Sequence, residues 1–502
     1  PRYTTNLRGR LPWAILLLQT TFILIFLHCF QHDYTPNAKY IQKYPAKNIG
    51  STKDSYVHEK EATAFQDVNV IIILGFGFLF GSLKKFVFSG VAFNFLITAL
   101  GIQWAIIVDS FLFQSTKPSI NLHSLCKGLM DVVPVLISSG VVLGKVNPVQ
   151  LIMMAAIEIP VFCVNRYIME THLKMETQVS MMHVHIFGAY FGLAVSWLIT
   201  LPTISNKVNK EKEKSDRMSD IFSMLGTLFM WMFWPSYNSL WLEKHNEIKN
   251  AIYNTYFSLA TSAVTVFSVS ALLNPTGKLQ MRIIHNAVLA GGVSIGFTAY
   301  MLQYPWIAMI IGLLVGLIST LGFHYFQGPL NTVSLVHDTC GVHYTFGLPG
   351  LFGSITYVIL IITADFRSTA MNGSNGVRLR FFRNDRYFAI FSQSYQAVTG
   401  VACICLTLAL SLVTGIITGF LLKCRLWKAP KEWHFFHDQP YWEVRFTVYL
   451  LYISSSSCPL PSSSVLPSVP LLVPPPASSG PPPPPPVPHL LVAPSVQRTH
   501  TH

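Results

Sequence analysis

Apolar residues run along this chain in blocks of about twenty, parted by short polar or charged stretches. A helix needs about 20 mainly apolar residues to cross the hydrocarbon of a bilayer. Twelve blocks approach or pass that length, at about 11–30, 67–83, 87–113, 124–144, 149–168, 180–200, 218–240, 251–273, 282–302, 304–325, 341–363 and 395–422. Runs so long and so continuously apolar predict helices rather than the alternating strands of a barrel. The predicted fold class is all-α, a polytopic transmembrane bundle of about twelve spanning helices. The predicted membrane domain is 1–430, followed by an end segment at 431–452 and a Ser/Pro-rich tail at 453–502 that includes the run Pro481–Pro486. The tail lacks the apolar surface to fold and is predicted to be disordered, with an SH3 or WW ligand as the alternative reading.

Composition agrees. Hydrophobic residues make up 51% of the chain and charged residues 11%, against roughly a quarter charged in soluble domains. The net charge of +13 is spread over loops and forms no stripe, so nucleic acid is not a predicted partner and the lipid bilayer is. Most of the eight cysteines lie in or beside apolar runs, without CxxC spacing, which argues against a disulfide framework or a zinc site. Cys424, between Lys423 and Arg425 after the last run, is a palmitoylation candidate. The first run lacks a small-residue cleavage site and reads as a retained span.

Basic loops set the orientation. Arg2, Arg8 and Arg10 precede the first run. Lys84 and Lys85 follow the second, Lys207 to Arg217 the sixth, and Lys423 to Lys431 the twelfth. With an even number of spans these fall on one side, so both termini are predicted to be cytoplasmic. The loop 364–394 disagrees. It should be extracellular yet holds five arginines, and with them Asn372-Gly373-Ser374, a glycosylation acceptor pattern.

Chemistry inside the membrane is sparse, which makes each instance informative. The sixth run holds His183-Val184-His185-Ile186-Phe187-Gly188-Ala189-Tyr190-Phe191-Gly192. An ionisable side chain at that depth is costly and starts as a functional-site hypothesis. Asp109, Asp131, Glu158 and Arg166 lie in or near runs. Arg166 can pair with Glu158 two turns away or with a neighbouring helix, and a structural pair is the favoured reading. Gly291, Gly292, Gly296, Gly312 and Gly316 let helix backbones approach closely. In the stretch Trp231–Asn238, Pro235 predicts a kink, and the aromatics read equally as a cavity lining or an interfacial belt.

Several segments together resemble a known family. They are "ALGIQWAII", "GVVLGKVNPVQL", "HIFGAYFGLAVSW", "MLGTLFMWMFWPSYNS", "HNAVLAGGVSIG", "GLLVGLISTLGF" and "HDTCGVHYTFGLPGLFG". In this order and at these intervals they resemble the Rh branch of the ammonium transporter family (Amt/Mep/Rh). The later "LWKAP" and "FHDQPYWE" resemble the end of the Rh blood-group polypeptides. The resemblance covers about 10–445 apart from the arginine-rich loop.

The resemblance implies an ammonium-transporter-like fold and a trimer whose subunits each hold a narrow apolar pore. In conducting members two hydrogen-bonded histidines line it and phenylalanines gate it. Neutral imidazoles can offer a donor and an acceptor to ammonia along such a path. Carried over by residue, His185 matches the first pore histidine, but Phe346 stands in place of the second. His343, three residues earlier on a similar helix face, is a candidate substitute. Met130 aligns with the outer gate phenylalanine and Tyr237 with the second gate aromatic. Thr177 aligns with the family's cation-capturing acid, and the adjacent Glu176 would point differently on a helix.

This pattern resembles the erythroid Rh polypeptides of the red-cell plasma membrane, which partner the Rh-associated glycoprotein. The favoured reading is an Rh-complex subunit with weak or no ammonia conduction, tied to the ankyrin-linked membrane skeleton through its cytoplasmic end. The alternative is an electroneutral channel using His185, for ammonia and with carbon dioxide as a second cargo. A seven-helix receptor is disfavoured by the number of spans. No phosphate-binding loop, metal cluster or nucleophile motif is found in the sequence, so neither an enzyme nor a cofactor is predicted.

Overall fold

The computed structural model of the protein describes residues 7–32, 62–113, 118–200, 211–333, 336–371 and 393–443. Asn372, most of the arginine-rich loop and the Ser/Pro-rich tail lie outside the described residues. Residues Pro1–Val444 group into one compact unit and Arg445–His502 into another, and the second is wholly outside the described residues.

The predicted all-α bundle is what forms. Its helices are α1 Leu7–Cys29, α2 Ala62–Ser82, α3 Val87–Phe113, α4 Leu122–Val142, α5 Pro148–Thr171 and α6 Thr177–Ile199. They continue as α7 Arg217–Ser239, α8 His245–Leu273, α9 Met281–Ile295, α10 Pro305–Asn331, α11 His343–Thr363 and α12 Gln393–Leu422. Each matches one predicted run, but among the described residues ten are long and apolar enough to span. The other two are α7, which holds too many polar and amphipathic side chains, and α9, which is short and gives way to turns at Gly296. The backbone of α11 stays helical to Met371, so Arg367 belongs to a helix end rather than to the predicted loop. The pairing of Gln31–His32 with Ser119–Ile120 forms a two-residue parallel ladder.

Local sequence explains where helices start. Asn121 caps α4 with Ser124, Asn147 caps α5 with Gln150, and Asp216 caps α7 with Ser219, each as a reciprocal box. Such boxes satisfy amide donors that a helix N-terminus leaves free. The helix α7 continues through Pro235. The glycine expectation is met by contact. A Cβ on Gly291 or on Gly312 would strike the Ser258 carbonyl, so α9 and α10 both lie close against the backbone of α8.

The intramembrane arginine takes the second of its two expected partners. Arg166 on α5 is fully buried and pairs with Asp109 on α3 and with Asp131 on α4, at 3.2 Å for the latter. Glu170, one turn on, adds a longer contact at 3.5 Å. Glu158 instead accepts a hydrogen bond from Ser138 Oγ at 2.5 Å. Eight residues along a helix is about 12 Å, too far for Arg166 to reach Glu158 while its fork faces two carboxylates across the interface.

The loops after α2, α4, α6 and α10 meet at one end of the bundle. There Lys145 is buried and donates to Ser196 Oγ (2.9 Å) and to the His337 carbonyl oxygen. His337 Nε2 lies 3.0 Å from Glu213 Oε1. Burial pulls the Lys145 ammonium down from 10.5 to about 7, against the opposing charges of Asp338, Glu213 and Cys340. Between those two values the unfolded chain binds a proton that the folded chain does not. Stability therefore rises with pH from about 7 to about 10.5, by at most about 1.4 kcal/mol per pH unit from this group. The thermal midpoint of the purified protein, followed from pH 7 upwards, is expected to climb less steeply in Lys145→Met than in the parent.

Candidate functional site

His185 follows a break in α6. That helix is interrupted at His183, between Thr177–Met182 and Val184–Ile199. The break presents His185 to the bundle centre, where it is 1% exposed. Rings close around it. Phe346 stacks on the imidazole at 5.9 Å and 17°. Trp234 stacks at 5.9 Å and 25°, and Tyr237 is tilted at 5.9 Å and 40°. The file of rings continues from Phe346 to Phe76 at 5.6 Å and 22°, and from Phe76 to Phe80 at 5.9 Å and 52°.

Irregular helix turns aim these rings. Phe346 sits in a five-residue π segment, His343–Gly347, at the start of α11. Phe76 follows a second π segment, Val70–Gly75, within α2. Such bulges rotate the following side chains relative to a regular helix and are frequent at functional sites. Asp338 fixes the start of α11 by accepting from the backbone N–H groups of Gly341, Val342 and His343.

Polar atoms in this pocket stand without hydrogen-bond partners among the described residues. They are both ring nitrogens of His185, Trp234 Nε1 and Tyr237 Oη. A buried polar atom left unpaired costs roughly 1–3 kcal/mol, so their gathering at one level marks a place where a small polar guest would gain bonds. On the Phe346 side the file offers only hydrocarbon.

The structure brings His185, Phe346 and Tyr237 together. His343 lies elsewhere: its ring is edge-on to Tyr190 (5.8 Å, 80°) and to Tyr344 (4.8 Å, 70°). Met130 is wholly buried on α4, one residue before the Asp131 that turns to Arg166. Glu176 is the residue just before α6 and accepts a hydrogen bond from Tyr300 Oη at 2.7 Å. Thr177 begins α6 and its carbonyl accepts from Ser180 Oγ. Cys424 is exposed just beyond α12. Trp234, Phe76 and Phe80 complete the site without having been singled out for it. Trp234 was legible within its aromatic run. Phe76 and Phe80 had only their i,i+4 spacing as a signal, and nothing in α2 told them from ordinary core.

Comparison with known proteins agrees with the all-helical membrane fold. The sequence profile of the Ammonium Transporter Family matches residues 46–433. The chain is 36% identical to ammonium transporter Rh type C of Rattus norvegicus over 473 residues, 94% of each chain. It is 37% identical to an RH-like protein of Macaca mulatta, over 88% of this chain and 97% of the other. Among solved structures it is similar to Nitrosomonas europaea Rh50 of the Rhesus family of channels. The TM-score there is 0.63 with 28% identity, covering 76% of this chain and 92% of that one. An all-helical bundle with an irregular, ring-lined centre, matched over most of its length by these proteins, makes the chain a member of the ammonium transporter family with Rh-type relatives.

Proposed function

We propose that this protein is an Rh-type subunit that conducts ammonia weakly or not at all and works within a larger Rh complex. The observation that carries the reading is Phe346, stacked between His185 and Phe76. A guest leaving His185 towards Phe76 meets no donor or acceptor on these rings. Shedding hydrogen bonds without replacement costs roughly 2 kcal/mol or more, and each 1.4 kcal/mol slows passage about tenfold. In this reading a trimer with a conducting Rh glycoprotein supplies the flux. The end carrying Lys84, Lys85, Lys212 and Lys423 faces the cytoplasm of the plasma-membrane protein, in line with the distribution of basic loops, and contacts the membrane skeleton.

The second reading, an electroneutral channel using His185, is favoured by the two unpartnered nitrogens of that ring and by the name of the rat relative. In that reading Glu176, hydrogen-bonded to Tyr300, would gather cations at the mouth in place of Thr177. Reconstitution decides between them. Proteoliposomes holding this chain alone should take up ammonia no faster than empty vesicles, read by an internal pH dye. Flux well above that background, lost on His185→Ala, would establish the channel instead.

A further inference from the structure

The outer face of α12 is apolar and exposed at Leu412, Val413, Ile417, Phe420 and Leu421. These positions form one stripe of a helix, as a surface turned towards lipid tails requires. The stripe ends at Leu421, the helix ends at the buried Leu422, and the next residues are Lys423, Cys424 and Arg425. The edge of the hydrocarbon therefore falls at about Leu422, where charged side chains first appear.

Beyond that edge the chain stays against the bundle. It makes a tight turn at Arg425–Trp427, and Lys428 takes a left-handed φ of 46°. Asn147 Nδ2 donates to the carbonyls of Trp427 (2.9 Å) and Lys428 (3.3 Å). Trp427 Nε1 donates to the Leu421 carbonyl (2.9 Å), and Lys212 Nζ donates to the Trp433 carbonyl (3.0 Å). So fastened, the segment exposes Lys423, Arg425, Lys428 and Lys431. Among these cations Leu426 is 63% and Trp433 is 62% exposed. The Lys431 ammonium lies 5.0 Å from the centre of the Trp433 ring. One acidic residue, Glu432, interrupts the stretch.

We propose that residues 423–433 form a docking surface for anionic phospholipid headgroups. Leu426 and Trp433 enter the interfacial layer in continuation of the α12 stripe, and the four cations meet headgroup phosphates and carboxylates. The backbone bonds that hold the segment reduce the ordering cost of binding. The occupant follows from charge and level: the surface is basic, it lies at the hydrocarbon edge, and its apolar side chains extend a lipid-facing stripe.

The test titrates the detergent-purified full chain with phosphatidylserine or phosphatidylcholine and counts bound lipids by native mass spectrometry. Phosphatidylserine is expected to bind in preference. Each neutralised cation is expected to weaken it about fivefold, so Arg425→Gln, Lys428→Gln and Lys431→Gln together lower its affinity about a hundredfold and leave phosphatidylcholine unchanged. A charge-keeping triple, Arg425→Lys, Lys428→Arg and Lys431→Arg, should retain the preference, which separates lost charge from lost fold. Equal binding of the two lipids, or undiminished phosphatidylserine binding in the neutral triple, overturns the proposal. So does displacement of the lipid by inorganic phosphate at matched concentration, which would mark a free-anion site. A change in oligomeric mass in the neutral triple, with lipid binding unaltered, would give the surface to a second copy of the chain and likewise overturn it.

Discussion

Arg166→Ala is expected to abolish folding of the bundle, read as loss of surface expression in cells and of a cooperative thermal transition after purification. Arg166 is 0% exposed, and its guanidinium faces Asp109 and Asp131 from two other helices. Removing it strands two carboxylates in a site closed to water. Breaking a buried pair in this way costs about 3–5 kcal/mol, a large part of the roughly 5–15 kcal/mol of net stability a domain has. Arg166→Lys keeps the charge but not the planar fork that reaches both partners, so an intermediate loss is expected. The triple change Arg166→Met, Asp109→Asn and Asp131→Asn should recover much of the stability, because it removes the stranded charges along with the arginine. An Arg166→Ala protein with the parent's thermal midpoint would show that the cluster does not hold α3, α4 and α5 together.

Phe346→His should lift ammonia uptake by proteoliposomes above that of empty vesicles, with passage through the protein itself about tenfold faster than in the parent, since one regained hydrogen bond is about 1.5 kcal/mol. The substituted ring would stand where Phe346 now stacks on His185 and would offer the donor and acceptor that the phenyl lacks. Phe346→Leu is the control. It removes the ring without adding a polar atom, and no gain in flux is expected. The histidine variant should also melt at a lower temperature, because Phe346 is fully buried between two rings and a polar atom there lacks a protein partner on the Phe76 side. Absence of any gain would show that Phe346 does not set the barrier, and would move it along the file to Phe76 or Phe80.

Much of the architecture could be read from residue order. Block lengths located the twelve helices named among the described residues, ten of them long and apolar enough to span, because lipid tails demand runs of fixed length and internal hydrogen bonding. The capping residues Asn121, Asn147 and Asp216 stand where α4, α5 and α7 begin. Family motifs placed His185, Phe346 and Tyr237 as members of one site, and these three rings do meet. Other features were not local. The partner of Arg166 could not be chosen between Glu158 and another helix, since both choices satisfy the charge and only helix packing tells them apart. A π segment leaves no composition signature, so neither the rotation of Phe76 towards Phe346 nor that of His343 towards Tyr190 was legible.

What the sequence by itself determined is the order and spacing of the helices found among the described residues, and a phenyl ring with neither donor nor acceptor at position 346. These depend on residue type and spacing, which act through short-range sterics and through the cost of polar atoms in hydrocarbon. Only the tertiary structure decided that Phe346 is stacked from both sides, by His185 and Phe76, and that Lys145 is buried beside His337. Those outcomes depend on how separate helices pack, and packing is set by contacts among residues from about two hundred to about three hundred and fifty positions apart, which no local pattern encodes.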